Sequence, residues 1–267
     1  MAQSQIKVSA IKAFSDNYIW SISSSKTNEI SLVDPGDANV CIDYIENNHC
    51  QLRNILITHH HADHTGGIKK LSQYCQDKGW PLTIYGPAGE AIPACDIALK
   101  DKAQIDLLGL ETRFRIISLP GHTCGHIAYY NEGEDILFCG DTLFSAGCGR
   151  LFEGTPKQMY TSLQRLTALP ERTKVYCAHE YTQANLNFAL AVEPENEEII
   201  HYYNQVSQLR QKGSASIPTS IAQEKIINPF LRCHIDQVQQ SAAEYSNQSN
   251  LNELDTFTVL RGWKDTF

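Results

Sequence analysis

Short apolar segments of strand length recur along the first two thirds of the chain. They are rich in Ile, Val, Tyr and Phe, and each is followed by Gly, Pro, Asp or Asn, a pattern that predicts β-strands. The segments are IKVSAIKAF, YIWSIS, EISLVDPGD, RNILITHH, PLTIYGP, FRIISLPGH, IAYYNEGEDILFCGD and KVYCAHE. Between them, DANVCIDYIENN, TGGIKKLSQYCQDKG and TPKQMYTSLQRLTALP repeat apolar residues three and four positions apart, which predicts helices. This alternation predicts sheets covered by helices.

The pattern changes near residue 180, where the chain becomes rich in Gln, Asn and Glu. Helical spacing then recurs in NEEIIHYYNQVSQLRQK, DQVQQSAAEYSNQ and LNELDTFTVLRGW, and GSASIPTS is the one stretch typical of a linker or loop. We therefore expect residues 1–179 to form an α/β domain and residues 180–267 to form a mostly helical subdomain.

The amino-acid composition and charge indicate which classes of binding partner the protein can have. The 267 residues are 42% hydrophobic and 19% charged, which is ordinary for a globular protein, and no apolar run reaches the roughly 18 residues of a membrane span. The N-terminal sequence lacks the pattern of a secretory signal, and the nine cysteines include no CxxC pair. A net charge of −8 without a basic stripe disfavours nucleic acid. We expect a cytoplasmic or organellar protein that acts on a small molecule, with neither nucleic acid nor membrane as a partner.

Four histidines and an aspartate lie within the segment ILITHHHADHTGG, directly after a predicted strand. In an extended segment, residues two apart point to the same side, so His59, His61 and Asp63 can converge, and His64 follows at the turn. Imidazole and carboxylate are ligands that zinc, iron and manganese accept. The alternative is a histidine run on the surface without a ligand.

Three further candidate ligands each follow a predicted strand. His122 lies in SLPGHTCGH, Asp141 in ILFCGDTLF and His179 in VYCAHEYT. A single such residue at a strand end is usually structural, but three together favour a metal site.

The ordered motifs THHHADHTGG, GHTCGH, GDTLF and AHEYT resemble the metallo-β-lactamase superfamily. Its fold is an αββα sandwich of the α+β class, with the metal ligands on loops at one edge of the paired sheets. Further features are similar to the glyoxalase II (hydroxyacylglutathione hydrolase) family: SDNY, VDPGD, AGCGRLFEGT, the region after His179 and NPFLR. This likeness extends over nearly the whole chain and implies that the helical tail closes over the substrate site.

The resemblance also implies a site with two divalent metal ions. By position in the family pattern, the first ion would be bound by His59, His61 and His122, and the second by Asp63, His64 and His179. Asp141 would bridge the two ions together with a hydroxide, so Asp63 and Asp141 are the carboxylates expected at the reaction centre. Zinc is favoured, and iron and manganese suit the same ligands. Asp34 is expected to brace the metal loop by hydrogen bonds without touching metal.

The implied reaction is hydrolysis of S-(2-hydroxyacyl)glutathione, such as S-D-lactoylglutathione, to glutathione and a 2-hydroxy acid such as D-lactate, the second step of methylglyoxal detoxification. Arg150, Tyr181 and Arg232 would bind the glutathione part, although each arginine could also be a solvated surface charge. Two departures from the family weaken these contacts: Phe152 stands where some members have Tyr, and no Lys closely follows Arg232.

Other readings share parts of the pattern. A mononuclear iron dioxygenase that oxidises glutathione persulfides has the same H-x-H-x-D-H motif, but the tail after Tyr181 disfavours it. A lactamase, a nuclease and a non-catalytic binding protein fit less well, since Asp141 replaces a common Cys, no basic groove is evident and no ligand is lost. The cysteines near the ligands, Cys124, Cys139, Cys148 and Cys177, are interpreted as buried apolar residues. We expect a monomer.

Overall fold

The computed structural model describes residues 6–267. These form two compact units. The first unit extends to Ser118 and also contains Gly125–Gly140, and the second contains Leu119–Cys124 and Asp141–Phe267.

The first sheet of the first unit is built in chain order. Its strands are β1 (Ile6–Ala13), β2 (Asn17–Ser24), β3 (Glu29–Val33), β4 (Gln51–Leu56), β5 (Thr83–Pro87) and β6 (Ile97–Leu99). β1, β2 and β3 pair antiparallel, whereas β3 to β6 pair parallel. Parallel neighbours require crossover connections, which contain α1 (Ala38–Asn47) between β3 and β4, and α2 (Ala62–Thr65) with α3 (Ile68–Lys78) between β4 and β5.

Four antiparallel strands complete the first unit. They are β7 (Gln104–Leu107), β8 (Thr112–Ser118), β9 (Ile127–Asn131) and β10 (Ile136–Gly140), each paired with the next along the chain. All five residues of β9 and all five of β10 are buried, which explains why their sequences read as continuous apolar runs.

Helices α1 and α3 pack on the first sheet through their apolar stripes. Cys41 and Ile45 of α1 and Leu71 and Cys75 of α3 lie in one core with buried strand residues such as Ile55. Each of these side chains is at most 1% exposed, so the face of the sheet beneath the helices excludes water. The loop after β4 therefore starts from a rigid base.

The second unit is mostly helical after residue 181. Its elements are β11 (Leu143–Phe144), β12 (Gly147–Cys148), α4 (Pro156–Thr167), β13 (Lys174–Cys177), α5 (Thr182–Val192), α6 (Glu197–Gln211), β14 (Thr219–Ser220), α7 (Ile221–Ile227), a 3₁₀ turn (Pro229–Leu231), α8 (Asp236–Ser246) and α9 (Glu253–Thr266). Helix α4 begins at a capping box in which Thr155 and Gln158 satisfy each other's backbone amides. None of the helices in residues 6–267 has the length and apolar character needed to cross a membrane.

The structure confirms every predicted strand segment and the three predicted helices of the tail. The sequence prediction missed the short strands β6, β7, β11, β12 and β14, and helices α2, α5 and α7. Helix α5 was missed because its buried face includes the polar residues Thr182 and Asn185, which weakens the apolar stripe that marks an amphipathic helix.

Candidate metal centre and substrate cavity

The histidine-rich loop of the first unit is braced by Asp34. This buried carboxylate accepts hydrogen bonds from the backbone N–H of Thr58 at 2.8 Å and from the Thr58 hydroxyl at 2.7 Å. A Cβ atom at Gly36 would lie 1.8 Å from the carbonyl oxygen of Asp63, so only glycine permits this close approach of the two loops. The predicted bracing role of Asp34 is confirmed.

The bracing brings three imidazoles of this loop together. The ring centroid of His59 lies 4.7 Å from that of His61 and 4.0 Å from that of His64. His126 stacks on His59, with ring centroids 4.8 Å apart. His60 points away, and its Nδ1 lies 2.9 Å from Oε2 of Glu90.

Asp63 and His64 face each other at a distance that suits a shared cation. Nε2 of His64 lies 3.4 Å from Oδ2 of Asp63, and Nδ1 of the same ring lies 3.1 Å from Oδ2 of Asp34. Asn17 donates a hydrogen bond of 3.0 Å to Oδ2 of Asp63 and so holds that carboxylate in place. The first unit therefore contributes His59, His61, Asp63 and His64 as neighbouring donors.

In the second unit, Asp141 lies between two histidines. Its Oδ2 is 3.5 Å from Nε2 of His122 and 3.3 Å from Nε2 of His179. Nδ1 of His122 lies 2.8 Å from the carbonyl oxygen of Arg150, which can only accept, so Nδ1 carries the hydrogen. In the neutral ring, Nε2 then presents its lone pair to the carboxylate.

This donor set fits a divalent ion. Charge-assisted hydrogen bonds are about 2.7–2.9 Å long. Two ligands that each stand about 2.0–2.1 Å from one tetrahedral ion are about 3.3 Å apart. The separations of 3.3 to 3.5 Å around Asp141 match the second geometry, and a cation resolves the repulsion between a lone pair and a carboxylate. The His/Asp residues of the chain thus have the chemistry of a divalent-metal site.

The second unit contains a cavity of about 560 Å³ that reaches His122 and Asp141. The remaining lining residues are Phe144, Cys148, Arg150, Phe152, Tyr181, Ala184, Asn185, Arg261, Lys264, Asp265 and Phe267. The ring of Tyr181 stacks on His179 with a centroid distance of 4.7 Å, and Phe144 meets Tyr181 edge-on at 5.2 Å. Aromatic walls and basic groups therefore surround a pair of candidate metal ligands.

Three basic side chains line this cavity, and the sequence prediction named only Arg150. Arg261 and Lys264 lie on α9, three positions apart. Burial lowers the pKa of Lys264, and the nearby positive charges of Arg261 and Arg150 lower it further. Asp265 partly balances this charge, since its Oδ1 accepts from Nη2 of Arg261 at 2.9 Å. The sequence feature that could have predicted these two lining residues is the pair of basic residues in the segment RGWKD of the amphipathic helix α9.

The structure places Arg232 away from the cavity lining. Its Nε and Nη2 atoms donate to the two carboxylate oxygens of Glu193 at 2.8 Å each. The Glu193 side chain is 1% exposed, so this is a buried bidentate ion pair. The prediction that Arg232 reaches over to the substrate is therefore replaced by a structural role, because Arg232 does not line the cavity and its guanidinium is paired with Glu193.

The structure also bears on the predictions made for Phe152 and for the cysteines near the candidate ligands. Phe152 lines the cavity and is 65% exposed, so this position belongs to the cavity wall although the side chain carries no hydroxyl. Cys139, Cys148 and Cys177 are buried as predicted, but Cys124 is exposed because it lies in the open loop after His122. Burial raises the pKa of the Cys148 thiol, which disfavours a thiolate nucleophile there.

Comparison with known proteins identifies the family. Residues 27–179 match the family model described as metallo-beta-lactamase superfamily, and residues 180–267 match the model described as hydroxyacylglutathione hydrolase C-terminus. A hydroxyacylglutathione hydrolase from Pseudomonas fluorescens is 50% identical over 98% of this chain and 100% of its own length. One from Shewanella baltica has the same identity and coverage.

Solved structures show the same fold at low sequence identity. The crystal structure of ETHE1 from Myxococcus xanthus covers 98% of this chain and 99% of its own chain, with a TM-score of 0.63 and 22% identity. Fold and site together define a metal-dependent hydrolase of the metallo-β-lactamase fold. Within that superfamily, the chain belongs to the hydroxyacylglutathione hydrolase (glyoxalase II) family. The predicted fold class, family and enzyme class are confirmed.

Proposed function

We propose that this chain hydrolyses S-(2-hydroxyacyl)glutathione thioesters, with S-D-lactoylglutathione as the expected substrate, and releases glutathione and a 2-hydroxy acid. In metabolism this would be the second step of methylglyoxal detoxification. The observation that carries the proposal is the cavity of the second unit, because one cavity is lined by His122 and Asp141 and also by Arg150, Arg261 and Lys264.

The proposed metal site uses all the ligands inferred from the sequence. One divalent ion would be held by His59, His61 and His122, and a second by Asp63, His64 and His179. Asp141 would contribute to both ions. The position of Asp141 Oδ2 opposite two imidazole nitrogens supports the bridging role. We propose zinc, with iron or manganese as the other candidates. When bound, such ions supply a nucleophilic oxygen from water near neutral pH and positive charge for a developing oxyanion.

The protein's own groups orient these ligands and admit the thioester. The carbonyl oxygen of Arg150 fixes the His122 ring, and Tyr181 covers one face of the His179 ring. The leaving thiolate needs no strong general acid, because the pKa of an ordinary thiol is about 8.5.

The glutathione part of the substrate carries two carboxylates, and the cavity offers three cationic side chains. We propose that Arg150, Arg261 and Lys264 bind these carboxylates and that Tyr181 contacts the peptide. Arg261 is only 4% exposed and is held by Cys148 and Asp265, so it is already oriented before substrate arrives. Arg232 has no part in this proposal because it does not line this cavity.

Several broader predictions stay proposals. We propose that residues 1–179 supply most metal ligands and that residues 180–267 act mainly in substrate binding, in a monomer located in the cytoplasm or an organelle. The low number of clustered basic residues and the net charge of −8 support a small-molecule partner.

The decisive experiment is a thioester assay on metal-analysed protein. Purified protein should consume S-D-lactoylglutathione, seen as loss of thioester absorbance with matching release of free thiol, and a chelator should abolish the reaction. Protein that holds its full complement of divalent metal and yet leaves the thioester intact would refute the proposal.

A further inference from the structure

The short hairpin of β11 and β12 forms part of the cavity wall. It follows directly after Asp141 and carries Phe144 and Cys148, both of which line the cavity. Only two residue pairs join its strands, Leu143 with Cys148 and Phe144 with Gly147. So short a hairpin is not stable by itself.

The turn of this hairpin also has an unfavourable sequence. Its two central residues are Ser145 and Ala146, and Ala146 has a left-handed conformation with φ of +57°. Two-residue hairpin turns prefer Asn-Gly or a similar pair, and a non-glycine residue in this conformation costs about 1–2 kcal/mol. Something outside the hairpin must stabilise the turn.

Three buried polar side chains from α5, α7 and the end of α7 supply that support. The amide of Asn228 donates to the carbonyl oxygens of Phe144 at 3.2 Å and Gly147 at 2.9 Å. Asn185 donates to the carbonyl oxygen of Ser145 at 3.1 Å. Glu224 accepts from the backbone N–H of Ala146 at 2.8 Å.

Glu224 is the centre of this arrangement. It is fully buried, and it also accepts from the hydroxyl of Thr219 at 2.7 Å and from the amide of Asn228 at 2.9 Å. Because Asn228 contacts both Glu224 and the hairpin, the two side chains fix each other's orientation. Four consecutive backbone groups, from Phe144 to Gly147, are thus held by side chains of the helical region.

The position of the hairpin matters for the groups proposed to bind substrate. Phe144 contacts His179 and Tyr181 edge-on, with centroid distances of 5.9 and 5.2 Å. The carbonyl oxygen of Cys148 accepts from Nη1 of Arg261 at 2.9 Å. A shift of the hairpin would therefore move an aromatic wall and release a cation.

We propose that Glu224 and Asn228 are positioning residues for glutathione recognition: they hold the β11–β12 hairpin so that Phe144 and Arg261 are preset for the ligand. The proposal rests on the function proposed above. Asn228 lies in the segment NPFLR, whereas Glu224 lies outside every motif noted in the sequence. The proposal assigns to both residues a role in specificity that acts through the hairpin.

The test compares Glu224→Gln with Glu193→Gln. Both glutamates are buried in the second unit, but Glu193 is bonded to Arg232 and makes no contact with the hairpin in the described hydrogen bonds.

The probe for the binding experiment is S-methylglutathione, which has no thioester and binds without turnover. We expect Glu224→Gln to weaken its binding about tenfold, equivalent to about 1.4 kcal/mol, and Asn228→Ala to act in the same direction. Glu193→Gln should leave the affinity unchanged even where its melting temperature falls equally.

Hydrogen exchange provides a readout of the hairpin itself. The amide of Ala146 should exchange faster in Glu224→Gln and at the wild-type rate in Glu193→Gln. Equal affinities for S-methylglutathione in wild type and Glu224→Gln, or equal weakening in both variants, would overturn the positioning role. Wild-type protein that did not bind S-methylglutathione would instead reject the proposed function, and the positioning role with it.

Discussion

Nδ1 of His122 donates to the carbonyl oxygen of Arg150 across a distance of 2.8 Å. One peptide group therefore orients a candidate metal ligand and also carries an arginine side chain that lines the cavity. This connection makes metal geometry and substrate recognition interdependent, so that experiments on one must monitor the other.

Asp141 should govern metal retention. Replacing it by Ala removes a carboxylate that faces both His122 and His179. We expect metal affinity to fall at least tenfold, within the range of about 10–100-fold seen when groups around a bound metal are removed. Elemental analysis of metal-replete protein measures this, and wild type should approach two ions per chain.

Asp265→Ala is the matched control for that experiment. Asp265 is another cavity carboxylate, but its partner is Arg261 and not an imidazole. This variant should keep the wild-type metal content. Equal metal loss in both variants would show that a general change of charge, and not the bridging geometry, holds the metal.

Lys264 should contribute to the binding of glutathione with little effect on the chemical step. A charge-assisted contact is worth about 1.5–3 kcal/mol, so Lys264→Met should raise KM about ten- to a hundredfold and change kcat little. Lys225→Met is the control, since Lys225 is an exposed lysine of the same unit whose partner is Glu171. A thioester without carboxylates should lose nothing further in Lys264→Met, and an equal loss would assign the lysine a structural role.

Arg232 should instead determine stability. Arg232→Met leaves the buried carboxylate of Glu193 without its charge partner, which should lower the free energy of unfolding by about 3–5 kcal/mol. Replacing both residues by Met and Leu should cost less than Arg232→Met alone, because no buried charge then remains. Denaturant unfolding measures both effects, and KM for the glutathione thioester should stay near the wild-type value at a temperature where each variant is folded.

The metal ligands could be predicted from sequence because their signal is local. His59, His61 and Asp63 follow one strand with a spacing of two, and His122 and Asp141 each end an apolar run. The strands themselves were predictable for the same reason, since their buried residues form continuous runs.

Substrate residues were harder to predict because their roles depend on distant partners. The sequence around Arg232 does not show whether its guanidinium binds a ligand or a carboxylate of the protein. Its partner Glu193 is 39 residues away in the sequence and comes close only in the folded chain. Arg261 and Lys264 lie on α9, and a helical pattern alone does not tell which part of a polar face meets a cavity. Glu224 carries no motif, so its contact with Ala146 emerged only from the three-dimensional structure.

Hydrolysis should not require oxygen. Under strict anaerobic conditions the protein should release thiol from S-D-lactoylglutathione at its aerobic rate, because water is the only co-substrate. The mononuclear iron dioxygenase considered from the motif pattern would consume oxygen with a glutathione persulfide. Oxygen uptake with the persulfide, combined with inactivity towards the thioester, would favour the dioxygenase.

Glu224 should make the stability of the protein depend on pH. Burial raises the pKa of its carboxyl to about 7, and the hydrogen bonds from Thr219, Asn228 and the backbone of Ala146 only partly oppose that rise. A folded-state pKa above the unfolded value of about 4.3 means that the folded chain holds this proton more tightly. The resulting stabilisation is fully present below about pH 4 and is lost as the pH rises to 7, a change of about 4 kcal/mol from this group alone. Glu224→Gln cannot titrate, whereas all other ionisable groups are shared with wild type. Denaturant unfolding at pH 5, 6, 7 and 8 should therefore show the stability of wild type, relative to the variant, falling between pH 5 and 7 and levelling off by pH 8. A constant difference across this range would mean that Glu224 is ionised in the folded protein throughout.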